Sequence, residues 1–214
     1  YPEALKYLSK DRELRPNNPD TNFKLAEAYH EMKSYGNAQQ FYSKTLQLDP
    51  QYYQAVFNSG LIHQEKKEYN EAMALFKRSA EIKPNDYASY YQIGKVMEET
   101  GNDNGAMENY NKALSINPGY TKAYINLGEL YAKNKLYDKA ISLYRSATAN
   151  NPQSFEAHYN LANAYRESKM LDEAIEEYNT CLNLKPADSK SHFFMGMAYR
   201  DKGNYQMAAQ SFEK

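Results

Sequence analysis

Four histidines, one cysteine and two pairs of adjacent glutamates are the side chains through which this 214-residue sequence could do covalent or metal chemistry. A histidine beside a carboxylate can act as a general base or a metal ligand, and a cysteine thiolate as a nucleophile. Neighbouring carboxylates could divide acid and base roles. None of these groups has the spacing its chemistry needs. Glu98-Glu99 and Glu176-Glu177 are sequential, and adjacent residues on a helix point in different directions. The lone Cys181 excludes a disulfide framework and any multi-cysteine metal site within this chain. No glycine-rich, phosphate-cradling loop occurs, and Gly101 and Gly203 fall in polar turns. The expectation is a chain with no catalytic residue, no cofactor and no metal site, and hence no enzyme.

The balance of charge narrows the partners. Twenty-six Lys and Arg face 27 Asp and Glu, for a formal net charge of −1, whereas nucleic-acid binding needs a basic excess that displaces counterions. No apolar run approaches the roughly 18 residues of a membrane span, and Tyr1-Pro2-Glu3 does not begin a signal peptide. Asn-x-Ser/Thr acceptors are also absent, so a cytoplasmic, intracellular location is expected. A mean hydropathy of −0.90 beside 42% hydrophobic residues reflects 22 tyrosines, which hydropathy scales score as polar although their rings pack as apolar bodies.

What positions all these residues is a repeat. Pro16, Pro50, Pro84, Pro118, Pro152 and Pro186 stand 34 residues apart. With that proline at place 32, repeats 1 to 6 cover residues 19–52, 53–86, 87–120, 121–154, 155–188 and 189–214, the last truncated, after a partial repeat at 1–18. Place 20 is always alanine, from Ala38 to Ala208, with Ala4 in the partial copy. Place 8 is always Ala or Gly (Ala26, Gly60, Gly94, Gly128, Ala162, Gly196), and place 24 is always a ring, from Tyr42 to Phe212. Apolar residues recur at helical spacing twice per repeat, as in Ala123, Leu127, Leu130 and Tyr131, then Tyr137, Ala140, Ile141 and Tyr144. Lys133-Asn134-Lys135 suits the turn between them. Small residues let two antiparallel helices approach, rings fill the space beside them, and the proline ends the second helix.

These columns resemble the tetratricopeptide repeat over the whole chain. The resemblance implies an all-α fold, a right-handed superhelical solenoid of 34-residue helix–turn–helix repeats, here one continuous solenoid and a piece of a longer chain. Place 4 departs from the family's large aromatic except at Tyr90 and Tyr124; Asn22, Val56, His158 and His192 are expected to loosen one edge. Stacking would set His158 and His192 roughly 10 Å apart, too far to share an ion. His63 reads as a packing ring, His30 as a polar contact and Cys181 as a buried filler.

The family resemblance also implies a concave groove lined by places 2, 5, 6, 9, 12 and 13. Place 5 reads Phe23, Phe57, Tyr91, Ile125, Tyr159 and Phe193: either an exposed ladder that marks an interaction surface or rings packed between helices. Place 6 reads Lys24, Asn58, Gln92, Asn126, Asn160 and Phe194, a run of amides that can give and take hydrogen bonds from a peptide backbone. It is similar to the asparagine ladder in the repeats of O-linked N-acetylglucosamine transferases. The family's clamp for chaperone C-termini is missing, since place 5 never carries lysine. Over repeats 1 to 3 the groove places hold Lys24 and Lys95 against Asp20, Glu27, Glu31, Glu65, Glu98 and Glu99, a balance of −4. Over repeats 4 to 6 Lys122, Lys133, Arg166, Lys190 and Arg200 meet Glu129, Glu156, Glu167 and Asp201, a balance of +1. A protein or peptide with basic residues over repeats 1 to 3 is therefore the expected partner.

Families built this way serve as non-catalytic adaptors in large assemblies such as ubiquitin ligases, ciliary or axonemal complexes and secretion machinery. The alternatives are a substrate-recruiting arm of an enzyme whose catalytic domain lies elsewhere, and self-association. Reading of RNA bases needs a basic phosphate track, which the acidic columns lack.

Overall fold

The computed structural model describes residues 2–214, without the side chains of Pro2 and Ala4, so the alanine expected at Ala4 lies outside the described residues. Thirteen α-helices and no strand occur among the described residues. After α1 (Pro2–Leu14), a first and a second helix alternate: α2 (Pro19–Glu31) and α3 (Tyr35–Leu48), α4 (Tyr53–Glu65) and α5 (Tyr69–Ile82), α6 (Tyr87–Glu99) and α7 (Asp103–Ile116). The same alternation continues through α8 (Thr121–Lys133), α9 (Tyr137–Asn150), α10 (Phe155–Glu167), α11 (Leu171–Leu184), α12 (Ser189–Asp201) and α13 (Tyr205–Phe212). The helices form two compact bodies, Tyr1–Asn109 and Tyr110–Lys214.

The turn inside each repeat has one solution. Its place 15 takes the left-handed conformation six times: Lys33, Lys67, Gly101, Lys135, Lys169 and Gly203, with φ between 57° and 85°. This lets the next N–H reach back to the carbonyl at place 11, as in Ser34 to Tyr29 and Leu136 to Tyr131, both 2.9 Å. Two orphan carbonyls of the first helix are thereby satisfied. Lysine carries a steric penalty in this region that glycine escapes, partly offset by glycine's greater loss of chain entropy. Lys135→Gly and Lys169→Gly are each expected to stabilise the C-terminal body by about 0.5–1 kcal/mol, read from urea unfolding midpoints.

The alanine and ring columns make the core. In the N-terminal body Ala38, Tyr42, Ala72 and Phe76 are fully buried, and in the C-terminal body Ala140, Tyr144, Ala174 and Tyr178 are buried too. The glycines of place 8 lie directly against these rings. A Cβ on Gly60 would stand 2.7 Å from Phe76, and one on Gly128 would stand 2.5 Å from Tyr144. Close approach, rather than backbone freedom, is what these two positions require.

Junctions between repeats are fastened by polar groups at place 34. Asp86 caps α6, accepting from the Ser89 amide at 2.9 Å and its hydroxyl at 3.1 Å, and it also accepts the Tyr53 phenol proton. Ser79 and Ser89 hydroxyls meet at 2.8 Å behind it. Asp188 repeats the cap on α12 with Ser191. Burial works against its charge, but the Ser191 donors with Lys185 and Lys190 outweigh that and hold the carboxyl below the usual range.

Place 4 corrects an expectation. Its polar residues do not loosen the edge; they clasp the loop before them. Asn22 reaches the Pro16 carbonyl at 3.3 Å, His158 that of Pro152 at 3.1 Å, and His192 that of Pro186 at 3.0 Å. His158 also bonds Glu177 at 2.6 Å, so both of its ring nitrogens are engaged, one by the end of repeat 4 and one within repeat 5. His63 is likewise no packing ring: it bonds Glu68 at 2.6 Å and Gln39 at 3.1 Å. Burial pushes the Cys181 thiol up to about 12, a filler rather than a nucleophile.

Candidate protein-binding surface

In the N-terminal body, helices α2, α4 and α6 carry the acidic columns. Glu27, Glu31, Glu65 and Glu99 are all exposed. Partial burial and the charge of Glu31 raise the Glu27 carboxyl above its usual range. Glu65 and Glu99 each meet a side chain of the preceding first helix. The Glu65 carboxylate lies 4.0 Å from His30 Nε2. Gln64 donates to both oxygens of Glu99 at 3.3 Å. Each of the last two contacts links the first helices of successive repeats, so the carboxylates are oriented by the frame itself.

In this body the place-5 rings are packing residues. Phe23 is 8% exposed, its centroid 4.9 Å from that of Tyr52 and 5.8 Å from that of Tyr42. Phe57 is half-buried against Phe76, and Tyr91 is buried. Phe23 and Tyr91 belong to the core and Phe57 packs against it, so the three form no exposed ladder, because a ring at place 5 falls between its own second helix and the next repeat.

The amide column has a partner that sequence reading missed. Asn58 donates its side-chain N–H to the Tyr42 hydroxyl at 3.2 Å, pairing place 6 with the place-24 ring of the preceding repeat. Where that ring is Phe76, no hydroxyl exists, and the buried Gln92 Oε1 has no hydrogen-bond partner. Aligning the two columns sixteen residues apart in the sequence would have exposed this pairing. Phe76→Tyr should supply the missing donor and raise stability by about 1 kcal/mol, measured by thermal or urea unfolding. Buried Tyr42 itself is held well above the ordinary phenol range by burial, despite the Asn58 hydrogen bond.

In the C-terminal body, Asn126 repeats the pairing with Tyr110 at 3.2 Å. Asn160 turns instead to Glu129 at 2.9 Å. Tyr178, followed by Phe194 at the next place 6, donates to Asn163 within its own repeat at 2.6 Å. Ile125 is buried, Tyr159 is half-buried among Phe155, Tyr178 and Phe194, and Phe193 is 51% exposed. Two of the basic residues are not free charges. Arg166 pairs with Glu167 at 2.6 Å and lies over the Phe194 ring, and Arg200 pairs with Asp201 at 3.0 Å. Lys133 is exposed. With Arg166 and Arg200 neutralised locally, the acidic columns of the N-terminal body are the larger imbalance of charge.

Four tetratricopeptide repeat models match residues 31–94, 99–135, 125–191 and 189–214. No curated protein matches the sequence. Among solved structures, YrrB, described as a TPR protein with an unusual peptide-binding site, is similar over 94% of this chain and 100% of its own, at 21% identity and a TM-score of 0.68. MamA 41-end from Desulfovibrio magneticus RS-1 is similar over 75% of this chain and 91% of its own, at 25% identity and a TM-score of 0.69. The Cut9–Hcn1 hetero-tetramer of the APC/C is similar over 97% of this chain and 41% of its own, at 22% identity and a TM-score of 0.74. The chain belongs to the tetratricopeptide repeat family and has its all-α repeat fold. No helix among the described residues is long and apolar enough to cross a membrane.

Proposed function

We propose that this chain is a non-catalytic scaffold whose first helices hold an extended peptide or a partner helix, with the partner's basic residues over repeats 1 to 3. The carrying observation is the set Glu27, Glu31, Glu65 and Glu99, exposed on α2, α4 and α6, with Glu65 against His30 and Glu99 against Gln64 of the preceding first helices. Fixed carboxylates attract and align a cationic partner without having to be ordered on binding. Amides pinned by tyrosine hydroxyls, Asn58 here and Asn126 in the other body, supply hydrogen-bonding groups of defined orientation for a peptide backbone. Membership in a larger assembly is supported by the likeness to Cut9, which comes from the APC/C. The test is selection from a displayed library of random 12-residue peptides on the intact chain. Enrichment of Lys and Arg is expected; enrichment of acidic or purely apolar peptides would reject the charge assignment.

A further inference from the structure

The second-helix side of the N-terminal body holds a cavity that the groove does not use. It measures 460 Å³ and lies between α1, the loop at Pro16 and Asn17, and α3. Arg12 and Lys44 both line it, and no carboxylate does. Neither cation makes an ion pair among the described residues, and nearby Asp11 is already engaged by Arg15 and Thr21. Gln40 and Gln47 add amide donors at the rim. Asn22, 1% exposed, is part of the lining, with its N–H donors spent on the Pro16 and Asn18 carbonyls. Phe41 makes an apolar wall, stacked on Tyr29 at 5.5 Å and carrying the Arg12 guanidinium 5.1 Å from its centroid.

Other repeats fill the corresponding space from within. In repeat 2 Arg78, at the place of Lys44, donates to the Pro50 carbonyl at 2.6 Å. In repeat 5 His158 and Glu177, at the places of Asn22 and Phe41, bond each other at 2.6 Å. Repeat 1 has the short Asn22 and no acidic partner at either place, which leaves two cations and a ring facing an open volume. Pockets of about 300–1,000 Å³ suit small molecules, and converging cations with amide donors select an anion.

We propose that this cavity binds a small organic anion, its carboxylate or phosphate oxygens on Arg12 and Lys44 and its apolar body against Phe41. The test is a side-chain amide NMR titration of the intact chain with phenyl phosphate and benzoate, alongside neutral benzyl alcohol and inorganic phosphate. At least one aromatic anion should shift the Asn22, Gln40 and Gln47 amides saturably, about fivefold or more tighter than benzyl alcohol or inorganic phosphate. The tighter of the two anions names the headgroup class. Arg12→Gln and Lys44→Gln, both at the cavity's edge, should each weaken binding about fivefold, and Asn22→Tyr should block it by filling the space. Three results would overturn the site: saturable shifts from neither anion, equal binding of benzyl alcohol or inorganic phosphate, or unchanged affinity in both glutamine variants with retained spectra.

Discussion

Gly128→Val is expected to destabilise the C-terminal body by about 3 kcal/mol or more, the largest effect of any single change considered. A Cβ at this position would meet three atoms of the Tyr144 ring at 2.5–2.9 Å, and that ring is 2% exposed with no room to retreat. Valine adds two methyls beyond the Cβ in a helix that already disfavours branched side chains. Alanine should be far milder, because Ala26 and Ala162 occupy the same column in other repeats and share core clusters with Tyr42 and Tyr178. The gain in helix propensity of about 1 kcal/mol also offsets part of its crowding. Gly36 provides the control, since a Cβ there would find nothing within 4 Å. Gly36→Val should change stability by less than about 1 kcal/mol. Urea unfolding followed by circular dichroism separates the three variants; equal effects of valine at 128 and 36 would mean that the ring contact is not what restricts the column.

Asp86→Ala comes next, with an expected loss of about 2–3 kcal/mol. The substitution removes the N-cap of α6 and leaves the Ser89 hydroxyl and the half-buried Tyr53 phenol without their acceptor. Losing a cap alone costs about 1 kcal/mol, and an orphaned hydrogen-bond donor adds about 1–3. Tyr53→Phe in the same background removes one of the orphans, so the double variant should recover part of the loss. A double-mutant cycle with no coupling between the two positions would show that the phenol does not lean on this carboxylate.

The sequence disclosed most of the fold and only half of the surface, and the reason is physical. The alanine, glycine and ring columns repeat because every repeat must solve the same close-packing problem, so they appear as periodicity. The place-5 residues repeat for that same reason, which is why Phe23 and Tyr91 resemble a ladder of ligand-binding rings and are in fact core. Periodicity reports a shared demand but not whether solvent or a neighbouring helix meets it. Features that vary between repeats were harder to read. The clasp by Asn22, His158 and His192 on prolyl carbonyls uses two residue types at one place, and chemistry rather than identity unites them. The hydroxyl–amide pairs sit in two different columns, so neither column alone reveals the bond. Lysine at four left-handed turns gave no signal either, because glycine is the residue that marks such a turn.

The acidic set on α2, α4 and α6 was legible as charge in fixed places, whereas the contacts of His30 with Glu65 and of Gln64 with Glu99 were not. That set is where the functional account stands or falls. The decisive measurement is equilibrium binding of a selected basic 12-residue peptide to the intact chain and to the triple variant Glu31→Lys, Glu65→Lys, Glu99→Lys, at low and at physiological salt. The account predicts a loss of about tenfold or more in the variant, larger at low salt than at high. Equal affinity for the two proteins at both salt concentrations would contradict it.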